Sequence, residues 1–119
     1  MRISKNIVNR HLQQELFRTL YQLVADLKKP EDVEKFFKAF LSETEHVTLS
    51  KRVAVAYWLD KGRNYSNINQ NLKVSSATIA GMQDNLNADG VKLALQHIKA
   101  EEWANIWSQK IQKFVKGSS

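Results

Sequence analysis

One proline, Pro30, and four glycines, at positions 62, 81, 90 and 117, are the only chain-turning residues of these two types in 119 positions. A many-stranded protein with tight turns needs far more of them. The chain is therefore read as all-α. Its 43% hydrophobic and 25% charged residues match an ordinary globular domain rather than a disordered chain, and the length suits a single core. No apolar run reaches the ~18 residues that span a bilayer, so no membrane association is expected. The first ten residues are polar, carry Arg2, Lys5 and Arg10, and lack the apolar stretch of a secretory leader. The absence of cysteine removes disulfides, thiolate nucleophiles and cysteine-based zinc sites. A reducing compartment, by default the cytoplasm, is the expectation.

Apolar spacing divides the chain into helices. Leu12, Leu16, Leu20, Leu23, Val24 and Leu27, widened by Ile7, Val8, Phe17 and Tyr21, predict a first amphipathic helix from about Asn6 to Leu27. Pro30 with Glu31, Asp32 and Glu34 suits the first turn of a second, whose buried side is Val33, Phe36, Phe37, Phe40 and Leu41. Ser42-Glu43-Thr44-Glu45 has the spacing of a capping box, so a third helix starts there, runs through Leu49, Val53, Ala56 and Leu59, and stops at Gly62. Asn64 caps a short fourth helix, Tyr65 to Leu72, with Tyr65, Ile68 and Leu72 inward; Lys73-Val74 forms a turn. Ser75 then caps a fifth, Ser76 to about Leu86. Beyond a break at Asn85 to Gly90, residues from Val91 to about Val115 read as a helical extension with a bend near Lys99 to Glu102. The whole, residues 1–116, is expected to be one helical domain, with 117–119 a frayed tail.

Within it, residues 64–86 have the pattern of a helix-turn-helix: Ile68, Leu72, Val74, Ile79 and Met82 inward, a short turn, and small residues on the outer face of the second helix. Ser76, Ala77, Thr78 and Ala80 stand where a recognition helix meets base edges. Small side chains permit close approach, and an alanine methyl can touch a thymine methyl. Charge agrees with this placement. The net charge is +6, and the segment from His46 to Gln83 holds +4 of it, through Lys51, Arg52, Lys61, Arg63 and Lys73 against Asp60. Those five cations, with the hydroxyl of Ser75 at a helix N-terminus, are the candidate phosphate ligands. Two residues depart from the usual pattern: Asn69, where an alanine or glycine is commoner, and Lys73, where the turn commonly takes glycine.

The run Phe40-Leu41-Ser42-Glu43-Thr44-Glu45, then Leu49 and Lys51-Arg52-Val53-Ala54-Val55-Ala56, then Leu59, Gly62, Tyr65, Ile68, Leu72 and Val74-Ser75-Ser76-Ala77-Thr78-Ile79 resembles the tryptophan-repressor-like family. The similarity runs from about Leu20 to Leu95, and is closer to the family's branch of small bacterial regulators than to its tryptophan-binding members. The resemblance implies an intertwined all-helical homodimer that presents two reading heads to double-stranded DNA. It also implies a ligand site, of which only half is here. Arg52 matches one of the two arginines that clamp the corepressor's indole, and Ser42 falls where a threonine contributes. Gly81 replaces the other arginine, and Met82 stands where a small residue leaves room. No tryptophan corepressor and no other cofactor is expected.

No catalytic constellation competes with this reading. His11, His46 and His97 fall on different helices without metal-ligand spacing, Glu43 with Glu45 and Glu101 with Glu102 read as helix-start or surface carboxylates, and no glycine-rich phosphate loop is present. An enzyme is not expected. Trp103, Trp107, Ile111 and Phe114 form a stripe suited to core or interface. The alternative to a transcriptional regulator is a protein-protein interaction module that keeps the dimeric fold. It draws on one fact: Ser76 to Leu86 contains no Lys or Arg, so no bidentate guanine contact can come from that helix.

Overall fold

Four of the helices begin where a side chain accepts an orphan backbone amide, from Asn9, Ser42, Asn64 and Ser75, and the second begins instead with Pro30 in its first turn. The computed structural model describes residues 9–102, whose regular structure is entirely helical: α1 (Arg10–Asp26), α2 (Pro30–Phe40), α3 (Glu43–Asp60), α4 (Tyr65–Leu72), α5 (Ser76–Asp84), and α6, helical over 89–102. Ile7, Val8, the stretch from Trp103 to Val115 and the tail 117–119 lie outside the described residues. The first helix starts later than its apolar spacing predicts, because Asn9 is extended and its side chain accepts the Leu12 amide at 2.8 Å. At α3 the capping box is reciprocal. The Glu45 amide donates to Ser42 Oγ at 3.1 Å and the Ser42 amide to Glu45 Oε1 at 2.8 Å.

Acid weakens this cap. Glu45's carboxyl lies below its ordinary range because the Ser42 backbone amide, and then the Ser42 side chain, favour the carboxylate. A lowered folded-state pKa means that the stabilisation is complete above the unfolded value, about 4.3, and is lost as pH falls through the folded one. Melting temperatures taken from about pH 6 to pH 3 therefore fall more steeply for the native protein than for Glu45→Gln, which still accepts the amide but does not titrate. Parallel curves would refute the assignment.

The chain divides into two compact units, Met1–Thr48 and Leu49–Ser119. In the first, neither α1 nor α2 buries a residue. The leucine stripe of α1 is largely open to solvent, Leu12, Leu16, Leu20 and Leu23 lying between 42% and 55% exposed. Phe36 packs against Phe40 with ring centres 5.0 Å apart, and Phe37 meets the His46 ring edge-on at 6.1 Å.

The second unit holds a small core of Val55, Ile68, Val74 and Ile79, with Trp58, Leu59, Leu72 and Met82 against it. Burying these apolar side chains is what pairs α4 with α5. Gly62, at φ +86°, ends α3 in the left-handed conformation. Its amide donates to Leu59 and that of Arg63 to Trp58, at 3.0 and 3.1 Å, the paired bonds of a Schellman motif. The reversal brings Asn64, whose side chain accepts the Asn67 amide at 2.8 Å, to the start of α4. Tyr65, expected inward, is 41% exposed; as the first residue of α4 it precedes the turn that contacts the core. The fifth helix ends at Asp84, two residues before the expected Leu86.

Candidate nucleic-acid interface

The fifth helix is built from its cap outward. Ser75 Oγ accepts the Thr78 amide at 3.1 Å and lies 3.0 Å from Thr78 Oγ1. Both hydroxyls are thereby drawn to the helix start. Ile79, fully buried, anchors the inner face, and Met82 lies half-buried one turn on. With that side fixed, Ser76, Ala77 and Ala80 face solvent, while Thr78 is half-buried. No charged side chain occupies the first turn of α5, so its leading end presents methyls, hydroxyls and backbone amides.

The candidate cations are not equivalent. The Arg63 guanidinium lies 4.0 Å over the Trp58 ring and 3.3 Å from Asn67 Oδ1, a stacked arrangement that restrains the side chain while leaving other N–H donors to work with. Arg52 is exposed and lines a cleft described below; Lys73 is exposed in the turn. Lys51 donates to the Lys73 carbonyl oxygen at 3.3 Å. Lys61 is committed to Glu102 at 3.1 Å and lies 5.4 Å over Tyr57. The carboxylate of Glu102 also accepts the Tyr57 hydroxyl, and this bond, followed by Lys61, holds its pKa below the ordinary range. The same carboxylate raises the pKa of both Lys61 and Tyr57. A parallel pair, Lys99 to Asp60 at 2.7 Å, makes the end of α3 and the end of α6 a mutually neutralised patch. The spacing of Lys61 gave no warning of Glu102, a partner forty-one positions away.

Two further features escaped the sequence reading. Trp58 is the platform for Arg63, a relation set by the Schellman reversal. Asn69, at a position where alanine or glycine is commoner, donates from Nδ2 to the Val74 carbonyl at 2.6 Å.

A cleft of about 240 Å³, almost wholly apolar, lies among Leu49, Arg52, Val53, Ala56, Met82, Gly90, Val91, Ala94 and Leu95. Arg52 is its one charged lining residue. Gly81 contributes no side chain, and a Cβ built there meets nothing within 4 Å. Among the described residues no group of acidic and histidine side chains is arranged to hold a metal ion, and no helix is long and apolar enough to cross a membrane.

Compared with known families, residues 13–99 match the model described as Trp repressor protein, a stretch that contains α2 to α5 whole. A search among proteins of curated function returned no match.

Proposed function

Since the chain belongs to the Trp repressor protein family, we propose that it is a transcriptional regulator that reads double-stranded DNA through the major groove as a homodimer. The observation that carries this reading is the exposed, uncharged leading half of α5, held outward by the fully buried Ile79. Ser76, Ala77, Thr78 and Ala80 meet base edges, with specificity drawn from methyl contacts, hydroxyls and DNA shape rather than arginine forks. Arg52, Arg63, Lys73 and Ser75 hold phosphates. Lys61, neutralised by Glu102, adds less. The open leucine stripe of α1 supports dimerisation: a second copy would cover an apolar face that one chain leaves in water.

The cleft beside Arg52 does not serve as a tryptophan site. At about 240 Å³ it is smaller than the roughly 300 Å³ at which ligand pockets usually begin, and Gly81 supplies no second guanidinium.

Selection from a random duplex pool tests the reading. An enriched palindrome with half-sites about one helical turn apart is expected. If roughly six phosphates are neutralised per dimer, the logarithm of affinity falls with that of salt at a slope of about −5. No enrichment with salt-insensitive affinity would make the chain the alternative, an interaction module; α5's lack of Lys and Arg is what favours that outcome.

A further inference from the structure

The turn between α4 and α5 does what glycine usually does, without glycine. Lys73 sits at φ 54°, ψ 49°, the left-handed region in which a Cβ crowds the following carbonyl. Nothing in its own side chain relieves this, so the surrounding structure must hold it. Three hydrogen bonds do so. The Lys73 amide donates to the Asn69 carbonyl at 3.0 Å, Asn69 Nδ2 donates to the Val74 carbonyl at 2.6 Å, and Lys51 Nζ donates to the Lys73 carbonyl at 3.3 Å. Asn69 thus grips both sides of the strained residue, and Lys51 reaches in from α3, twenty-two positions away. The two carbonyls they take belong to the peptide planes immediately before Ser75, the cap of α5. Fixing those planes fixes the direction in which α5 leaves the turn.

We infer that Asn69 and Lys51 are positioning residues, a side-chain lock that aims α5 by holding a left-handed lysine. The inference rests on the DNA-reading proposal for its functional consequence, and on the turn geometry alone for the lock. On charge, Lys51 counts among phosphate ligands; in the structure one of its three ammonium donors goes to the turn.

The experiment uses the full chain with Asn69→Ala and Lys51→Met, each alone and combined with Lys73→Gly. Amide hydrogen exchange is followed at Thr78 and Ile79, with Val55 and Ile68 as internal reference. Affinity and salt slope are measured on a labelled random-sequence duplex of about 30 base pairs, roughly three turns. Each single variant is expected to speed exchange at Thr78 and Ile79 about tenfold relative to Val55 and Ile68, and to weaken duplex binding about tenfold, as loss of one such bond implies. The salt slope stays unchanged. Lys73→Gly restores the slow exchange, because glycine adopts the turn unaided; since it also removes a phosphate ligand, duplex binding by each double variant is compared with Lys73→Gly alone, which it is expected to match. A slope shallower by about 0.9 for each lysine removed, with exchange unaffected, would make Lys51 a phosphate ligand and overturn its part. Unchanged exchange in Asn69→Ala, or failure of Lys73→Gly to restore slow exchange, would overturn the lock. Should Asn69→Ala unfold, Val55 and Ile68 would exchange as well; Lys51→Met and its rescue then decide. Should the native chain bind no duplex, the functional proposal fails, while the exchange measurements still decide the lock.

Discussion

Glutamates in place of Ala77 and Ala80 reduce duplex affinity by at least about a hundredfold, the effect of placing like charges against a phosphate-lined groove, while the melting temperature moves by no more than about 5 °C. Both alanines are exposed on α5, and substitutions at such positions change stability by about 0.5 kcal/mol or less. Glutamate at position 77 even suits the first turn of a helix. A general loss of positive charge does not explain the effect. The control pair Ala39→Glu with Ala100→Glu, also exposed but on helices other than α5, makes the same change in net charge. If the loss belongs to α5 rather than to net charge, the control retains binding within about tenfold. Equal losses in both pairs, measured by fluorescence anisotropy with melting followed by circular dichroism, would remove α5 from the interface.

What could be read from the sequence was local. Ser42 with Glu45, Asn64, Ser75 and Gly62 each act on amides or carbonyls within a few residues, so their spacing alone announces the helix ends that the structure contains. The inner face of α4 and α5 was legible too, since Ile68 and Ile79 must share one core. What stayed hidden was long-range. Lys51 finding the Lys73 carbonyl, Lys61 finding Glu102 and Lys99 finding Asp60 depend on how helices pack. Composition can place such cations on a solvated face and go no further. Asn69 was misjudged for a related reason. Its side chain looks too large for a close crossing until the Val74 carbonyl appears within its reach. The start of α1 slipped because apolar periodicity continues through Ile7 and Val8, whereas the cap at Asn9, extended at ψ 156°, marks where the helix begins.

The same placement of the core makes Ile79, like Ile68, a costly truncation. Its side chain has no solvent exposure and lies in the cluster with Val55, Ile68 and Val74. Removing its outer carbons leaves a cavity in a cluster whose other buried members, Val55, Ile68 and Val74, are β-branched and have few rotamers with which to collapse into it. Ile79→Ala is therefore expected to lose about 2–5 kcal/mol, a large part of the 5–15 kcal/mol that holds a typical domain folded. The melting temperature falls by about 10–20 °C. Ile79→Val, which removes one methyl, loses about 0.5–1.5 kcal/mol. Leu93→Ala, at a position 57% exposed, stays within about 0.5 kcal/mol. This ordering separates burial from mere hydrophobicity, for leucine and isoleucine bring similar apolar surface. Under the proposed function, duplex binding by Ile79→Ala recovers on cooling to the extent that the folded fraction recovers, because Ile79 is fully buried beneath the exposed face of α5. A melting temperature within about 2 °C of the native value would mean that α5 is not held by this core, and the outward presentation of Ala77 and Ala80 would lose its physical basis.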